Sequence, residues 1–196
     1  MFLVVGANGQ LGNELRLLLQ NKAEYVDREE LDITDEAAVS DYVTKDKYEA
    51  IINCAAYTAV DKAEDEPELA EKINVYGPKN LAKTGVPLVH VSTDYVFNGQ
   101  NYVPYKEGDE TAPRSVYGVT KLAGEKAVIE NASTAVVIRT AWLYSEFGNN
   151  FVKTMQRLGA ERESLNVVFD QIGSPTYAKD LALAIVEILP LLLKGT

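Results

Sequence analysis

The chain opens with the segment FLVVGANGQLG at residues 2–12. Its first four residues are apolar and end at Gly6, which predicts a buried parallel strand, and residues 14–19 follow with a helical pattern. Glycines between a strand and a helix allow a tight turn and a close approach of the backbone to a pyrophosphate, which the helix N-terminus then binds. The spacing is G-x-x-G-x-x-G rather than the G-x-G-x-x-G of many dehydrogenases. The segment predicts a dinucleotide-binding loop that comprises Gly6, Asn8, Gly9, Gln10, Leu11 and Gly12.

Strand and helix patterns alternate along the rest of the chain. Strands are predicted at residues 2–5, 24–26, 50–54, 86–91, 135–138 and 165–169, and helices at 14–19, 34–45, from Pro67, and at 115–130, 150–160 and 177–189. Residues 97–114 are rich in glycine, asparagine, proline and charge, which is typical of a long surface loop. Because βαβ crossovers are right-handed, the alternation predicts an α/β fold with a doubly wound parallel sheet of the Rossmann type.

Composition excludes several classes of protein. The chain has 196 residues, of which 19 are basic and 29 acidic, for a net charge of −10. An acidic chain is a poor ligand for nucleic acid or an anionic membrane, and no apolar run approaches the roughly 18 residues of a membrane span. One cysteine, Cys54, and one histidine, His90, exclude a disulfide and a zinc finger and suit a reducing compartment. We predict a soluble cytoplasmic protein in which both residues belong to the core.

Charged residues follow the second predicted strand, where an adenosine ribose would lie. A carboxylate at Asp27 accepts hydrogen bonds from the ribose hydroxyls and repels a 2′-phosphate. Arg28 comes next and attracts such a phosphate. The two signals conflict, so the choice between NADPH and NADH stays open. Fold geometry also places Asp32 and Ile33 near the adenine.

A candidate chemical centre follows the fourth predicted strand. Thr93 lies at its carboxyl end, and Tyr117 and Lys121 are four residues apart on a predicted helix, so their Cβ atoms lie roughly 5–6 Å apart on one face. We expect Lys121 to lower the pKa of Tyr117, and Tyr117 to donate a proton to a carbonyl oxygen as hydride arrives at carbon. The hydroxyl of Thr93 would polarise the same oxygen.

These motifs carry a family resemblance. The glycine loop, the run STDYVF at 92–97 and the Y-x-x-x-K pair resemble the extended short-chain dehydrogenase/reductase family. Within it the chain is similar to the dTDP-4-dehydrorhamnose reductases. This resemblance rests on residues 54–64 (CAAYTAVDKAE), 117–125 (YGVTKLAGE), 139–144 (RTAWLY) and 170–176 (DQIGSPT). The matches extend from residue 1 to about 190.

The resemblance implies reduction of the C4 ketone of dTDP-4-dehydro-L-rhamnose to dTDP-L-rhamnose by NADPH or NADH, in bacterial nucleotide-sugar biosynthesis. By motif, Tyr117 is the proton donor, Lys121 its partner and Thr93 the third catalytic residue. The cofactor would contact Tyr117 and Lys121 and be lined by Ala55, Ala56 and Tyr57. The sugar nucleotide would face Thr58, Val60, Thr93, Asp94, Tyr95 and Trp142.

Length adds a further expectation. Members of this family usually continue well beyond 196 residues, with segments that complete the substrate lobe. We therefore expect a dinucleotide-binding domain at 1–140 and partial substrate-lobe elements at 141–196, interleaved with the last strand and helix of the first domain. Such a chain is expected to bind dinucleotide and to turn over sugar poorly or not at all. Some members bind magnesium at a dimer contact. Here Glu14 alone matches a ligand position, so we assign no metal ligands and keep a homodimer as a candidate assembly.

Two other functions stay open on the same scaffold. One is a different extended-family enzyme, a nucleotide-sugar epimerase or dehydratase, in which Asp94 beside Thr93 would supply acid or base chemistry. The other is a noncatalytic dinucleotide-binding subunit that resembles the regulatory subunit of methionine adenosyltransferase. The intact Tyr117, Lys121 and Thr93 favour an enzyme.

Overall fold

The structure is a computed structural model that describes residues 1–195, so Thr196 of the predicted second domain lies outside the described residues. Seven strands are formed: β1 (Phe2–Val5), β2 (Ala23–Val26), β3 (Ala50–Asn53), β4 (Leu88–Thr93), β5 (Ala135–Thr140), β6 (Leu143–Tyr144) and β7 (Thr176–Tyr177). The first five form one parallel sheet in the order β2-β1-β3-β4-β5. The predicted doubly wound parallel sheet is confirmed. The last two pair in a separate parallel sheet.

Eight α-helices connect and follow the strands. They are α1 (Gln10–Leu19), α2 (Glu36–Tyr42), α3 (Val60–Asp65), α4 (Pro67–Glu71), α5 (Gly77–Lys83), α6 (Val116–Asn131), α7 (Phe151–Glu161) and α8 (Ala178–Leu193). A π-helical turn, Lys72–Tyr76, joins α4 to α5, and a short 3-10 turn, Asp94–Val96, follows β4. Within residues 1–195, no helix is long and apolar enough to cross a membrane.

The helices cover both faces of the large sheet. Along β1, Leu3 and Val5 face the core under α2, α5 and α6, whereas Val4 faces the core under α1 and α8, as the two-residue period of a strand requires. On the second face Leu15 and Ile185 are fully buried. Burial on both faces explains why the parallel strands are nearly continuous apolar runs.

The strand order places a crevice at one edge of the sheet. The chain passes from β1 to β2 on one side and then returns to β3 on the other side of β1. In doubly wound sheets, ligands bind outside the carboxyl ends of the strands at this reversal. The candidate site residues follow β1, β3, β4 and β5 at that edge.

Several predicted elements are wrong or shorter than expected. Residues 165–169 form no strand, because no described strand pairs with them and Phe169 is 98% exposed. The helix begun by the Asp35 side-chain cap ends at Tyr42 rather than near 45, since Val43 turns extended and enters the core. Helix α3 was not predicted. The domain division at residue 140 stays a prediction; α8, beyond it, packs on α1 of the large sheet.

Candidate active site

A cleft of about 840 Å³ lies at the carboxyl ends of the strands. It extends from the glycine loop to the C-terminal segment around β6. Nineteen of the predicted site residues line it: Gly6, Gly9, Gln10, Leu11, Gly12, Asp27, Arg28, Asp32, Ile33, Ala55, Ala56, Thr58, Val60, Thr93, Asp94, Tyr95, Tyr117, Lys121 and Trp142. The structure therefore brings the predicted cofactor, catalytic and substrate residues together in one cavity. Their individual roles stay predictions.

The glycine loop has the shape that a pyrophosphate requires. Gly6 has φ +74°, and a Cβ there would lie 2.6 Å from the backbone nitrogen of Ala55. A Cβ at Gly12 would lie 2.6 Å from the Cα of Ala7, so the first turn of α1 packs tightly against the loop that follows β1. Gly9 precedes α1 and provides no side-chain cap, which leaves the first N–H groups of the helix to a ligand. These residues fit a dinucleotide.

Asp27 and Arg28 stand beside this loop. One carboxylate oxygen of Asp27 accepts a hydrogen bond from the Asn8 backbone N–H at 3.0 Å, and the other accepts from the Arg28 N–H at 2.8 Å. Asp27 thus fixes the loop in addition to facing the cleft. The Arg28 side chain is exposed, and its Nε lies 3.8 Å from an Asp32 oxygen.

Two predicted cofactor residues do not line the cleft. Asn8 is exposed and acts through its backbone N–H on Asp27. The hydroxyl of Tyr57 donates to a Glu66 oxygen at 2.6 Å, and this bond raises the pKa of Tyr57 to about 12. The side chain of Tyr57 therefore bonds to Glu66, between α3 and α4, and does not point into the cavity.

The predicted catalytic residues converge where β4 meets α6. Tyr117 and Lys121 are both buried on the first two turns of α6, which begins at the Ser115 side-chain cap. Lys121 Nζ donates to the Val91 carbonyl at 2.8 Å, and Thr93 Oγ1, which lines the same cleft as Tyr117, donates to Asp94 Oδ1 at 3.1 Å. The ring of Tyr95 stands edge-on to Tyr117 at 5.4 Å between centroids. A proton donor and a second hydroxyl thus face the same part of the cleft.

The expected effect of Lys121 on Tyr117 is wrong for this structure. Burial raises the pKa of Tyr117, a Thr93 hydrogen bond opposes this rise, and the charges of Asp94 and Tyr95 add to it. Lys121 instead faces the Val91 carbonyl, and burial lowers its own pKa to about 8. Tyr117 is therefore fully protonated at neutral pH, which is the form that donates a proton.

Asn74 connects the segment after β3, where cofactor residues are predicted, to helix α6, which carries Tyr117 and Lys121. Its Oδ1 accepts from the Tyr57 N–H at 2.9 Å, and its Nδ2 donates to the Tyr57 carbonyl at 3.2 Å and to Thr120 Oγ1 at 3.1 Å. Thr120 Oγ1 in turn donates to the Tyr117 carbonyl. Asn74 lies in the π-helical turn, a local irregularity often found at functional sites. A π-helical turn does not keep the residue period of an α-helix, so sequence spacing alone does not reveal which face of the helix Asn74 occupies.

His90 and Cys54 lie behind this site. His90 is fully buried, receives a hydrogen bond from the Asn53 amide, and has its pKa held well below the usual value by burial and by Lys121. Asn53 Oδ1 also accepts from the Ala55 N–H. Burial raises the pKa of the Cys54 thiol to about 12. Both residues are neutral at physiological pH, and a thiol with so high a pKa is a poor nucleophile.

Glu14, the one residue matched to a magnesium ligand, is buried in α1. Its Oε1 accepts a hydrogen bond from Ser145 Oγ at 2.6 Å. Within the described chain, no group of three or more histidine, cysteine, aspartate or glutamate side chains is placed to hold a metal. Glu14 therefore connects α1 to the C-terminal segment.

Trp142 lines the cleft on its C-terminal side. This residue has φ +48°, a conformation that bulky side chains rarely adopt, and its ring is 6.3 Å from that of Phe151. A Cβ at Gly173 would lie 2.9 Å from the indole Nε1, so the DQIGSPT segment packs against the ring. Gln10 of the glycine loop accepts from Asn150 Nδ2 at 3.0 Å. The glycine loop and the C-terminal segment are thus joined directly.

Sequence reasoning missed some residues of the cleft, among them Lys72, Ser92, Thr140 and Asn149. Ser92 and Thr140 had a signal, because each stands at or next to the carboxyl end of a parallel strand, and Thr140 pairs in register with Thr93. The Thr140 hydroxyl is buried and has no hydrogen-bond partner among residues 1–195. Lys72 and Asn149 lie outside any motif.

The family model described as "RmlD substrate binding domain" matches residues 1–195. The chain is 49% identical, over 92% of its length, to a dTDP-4-dehydrorhamnose reductase of Streptomyces griseus, and it spans 62% of that relative. A Clostridium acetobutylicum dTDP-4-dehydrorhamnose reductase superposes with a TM-score of 0.93 at 46% identity, covering 97% of this chain and 70% of its own.

A second solved structure, the Bacillus anthracis dTDP-4-dehydrorhamnose reductase in complex with NADP, gives a TM-score of 0.92 at 45% identity and covers 96% of this chain and 70% of its own. The chain thus spans about two thirds of the length of these relatives. The resemblance inferred from the motifs is confirmed: the chain belongs to the RmlD substrate binding domain family.

Proposed function

We propose that this chain provides the dinucleotide-binding and proton-donating centre of a dTDP-4-dehydrorhamnose reductase. The observation that carries the proposal is the single cleft in which the glycine loop, Thr93, Tyr117 and Lys121 converge. The Bacillus anthracis relative is in complex with NADP, which supports NADPH as the cofactor here. The substrate is a dTDP-linked 4-keto sugar. Magnesium, a homodimer and a cytoplasmic location stay predictions.

The chain's own residues account for the proton and the orientation of the ketone. When bound, the reduced dinucleotide supplies the hydride. Tyr117, whose pKa is raised by burial, stays protonated at neutral pH and donates its proton to the oxygen at C4 of the sugar. The Thr93 hydroxyl orients the same oxygen. Lys121, with a pKa of about 8, is mostly charged at neutral pH; its ammonium donates to the Val91 carbonyl in the unliganded protein, and its role is to contact the dinucleotide at the same end of the cleft.

A specific observation keeps the epimerase or dehydratase as a second candidate. Burial raises the pKa of Asp94, which adjoins Thr93 and lines the cleft. A carboxyl group with a raised pKa is suited to general acid chemistry. Product identity separates the candidates, because a reductase consumes one NADPH for each alcohol formed, whereas an epimerase or dehydratase returns its dinucleotide unchanged.

The test supplies dTDP-4-dehydro-L-rhamnose and NADPH and follows loss of the reduced-nicotinamide absorbance while the sugar product is identified. We expect dTDP-L-rhamnose as the product of slow sugar-dependent oxidation, because the chain spans about two thirds of the length of its reductase relatives. An isomerised or dehydrated sugar without NADPH loss would favour the second candidate. Dinucleotide binding without any change in the sugar fits a regulatory subunit and equally a reductase chain shorter than its relatives. The same assay on a chain extended to the length of those relatives separates the two, because only the reductase gains activity.

Cofactor choice gives a separate prediction for Arg28. Its exposed guanidinium lines the cleft beside Asp27, and the Asp32 oxygen 3.8 Å away leaves its other N–H groups free for a phosphate. We expect Arg28→Ala to raise the Kd for NADPH about tenfold, as loss of a charge-assisted hydrogen bond predicts, and to spare NADH. The exposed Arg162, outside the cleft lining, gives the control Arg162→Ala. Equal weakening of both dinucleotides would remove this role from Arg28.

A further inference from the structure

A buried carboxylate lies one helical turn beyond Lys121. Glu125 of α6 is 5% exposed and accepts three hydrogen bonds. Its Oε1 accepts from Ser92 Oγ at 2.5 Å and from Arg139 Nε at 2.9 Å, and its Oε2 accepts from Arg139 Nη2 at 2.7 Å. A two-pronged arginine bond of this kind fixes the carboxylate in one orientation.

The partners of Glu125 tie it to the catalytic end of β4. Two consecutive residues of that strand bond to α6: the Val91 carbonyl accepts from Lys121, and Ser92 donates to Glu125. Arg139 pairs in register with Ser92 from the neighbouring strand β5. The ion pair therefore lies beside the Tyr117–Lys121 pair, and it connects α6 to both strands whose ends form the site.

Stability alone is a weak reason for this ion pair. Removing two charges from water costs nearly as much as their attraction returns, so apolar residues of similar size commonly serve a core as well. Arg139 is partly compensated by the Phe97 ring, 5.0 Å from its guanidinium carbon, but Glu125 has no such apolar role. The negative charge of Glu125 is therefore expected to act on a neighbouring side chain in addition to Arg139.

The neighbour is Lys121, and the groups that face it from each packed element can be compared. Lys121 interacts electrostatically with Glu125 on its own helix, Cys54 after β3 and His90 on β4. The other ionisable groups of the packed elements are Tyr117 on the same helix, Asp94 after β4 and Arg139 on β5. Burial lowers the pKa of Lys121, and Glu125 gives the largest electrostatic effect in the opposite direction, followed by Cys54. Cys54, with a pKa of about 12, is uncharged at neutral pH.

We propose that Glu125 is a positioning residue for the Tyr117–Lys121 pair, whose carboxylate, fixed by Ser92 and Arg139, keeps the buried Lys121 in its charged form. The link to catalysis rests on the proposed function, but the effect on Lys121 does not. Its electrostatic basis is that a negative charge one turn away favours a lysine ammonium that burial disfavours. Arg139 fixes the orientation of that carboxylate through two hydrogen bonds.

The test is the titration of Lys121 in the unliganded protein, by NMR of chains labelled with carbon-13 lysine. The Lys121 resonance is assigned by its loss in Lys121→Arg. We expect Glu125→Gln to lower the pKa of Lys121 by about one unit, because burial persists while the attraction is lost. The matched control is Glu130→Gln, an exposed glutamate on the same helix, which should leave the titration unchanged.

The direction of the shift separates this role from simple packing. Loosening of α6 would admit water and raise the pKa of Lys121 toward its ordinary value, whereas loss of the carboxylate lowers it. If Glu125→Gln does not fold, the double variant Glu125→Gln/Arg139→Gln leaves no unpaired buried ion and should also lower it. An unchanged or raised pKa in the folded variant overturns the proposal. Because no sugar is present, this readout does not depend on turnover, so a failed reductase assay bears on the proposed function and leaves this proposal unaffected.

Discussion

Replacing Gly124 by alanine is expected to lower the free energy of unfolding by about 2 kcal/mol or more. A Cβ at this position would overlap the backbone carbonyl oxygen of Asn74, in the π-helical turn against which α6 packs. Neither backbone can move freely, because Asn74 also holds Tyr57 and Thr120 through its side chain. Any relief must displace α6, and with it Tyr117 and Lys121.

Gly159 in α7 is the matched control for this change. It is also a helical glycine, but nothing lies within 4 Å of a Cβ built there. Gly159→Ala should therefore raise the free energy of unfolding by up to about 1 kcal/mol, the ordinary gain in a helix. Urea unfolding of the three proteins measures both effects. Equal stability of Gly124→Ala and the parent would mean that α6 does not pack as closely as described.

Tyr117→Phe is expected to reduce sugar-dependent NADPH oxidation about 10²- to 10⁴-fold, the usual contribution of a general acid. The change removes one hydroxyl from a buried ring and leaves the edge-on contact with Tyr95. The glycine loop is untouched, so the Kd for NADPH should change little. Turnover and dinucleotide binding, measured on the same preparation, separate proton donation from cofactor affinity.

The exposed loop residue Tyr102 provides the control Tyr102→Phe, which should match the parent in both measurements. A Tyr117→Phe protein that oxidises NADPH at the parent rate would show that another group donates the proton. Asp94, which adjoins Thr93 and has its pKa raised by burial, would then be the first residue to replace.

Short sequence patterns correctly predicted those elements whose formation depends on residues close together in the chain. The apolar run before Gly6 lies within one strand, and the four-residue spacing of Tyr117 and Lys121 lies within about one helical turn. The predicted strand at 165–169 failed because a strand also needs a partner along its edge. A β-branched run does not reveal whether one is available.

Parts of the site depend on contacts between distant segments and could not be predicted. The Glu125 carboxylate meets Ser92 from 33 residues away, and Glu14 meets Ser145 from 131 residues away. The pKa of Tyr117 was expected to fall because its spacing from Lys121 was known and its burial was not. The three-dimensional packing reversed that expectation.

The most direct measurement is a calorimetric titration of this chain with NADPH, combined with the amide chemical shifts of residues 6–12 and 27–33. It tests whether the cleft between the glycine loop and α6 is a nicotinamide dinucleotide site. We predict saturable binding of one NADPH per chain, with the largest shifts in these two segments. A folded chain that binds no NADPH, or that binds it with shifts confined to other segments, would contradict this assignment.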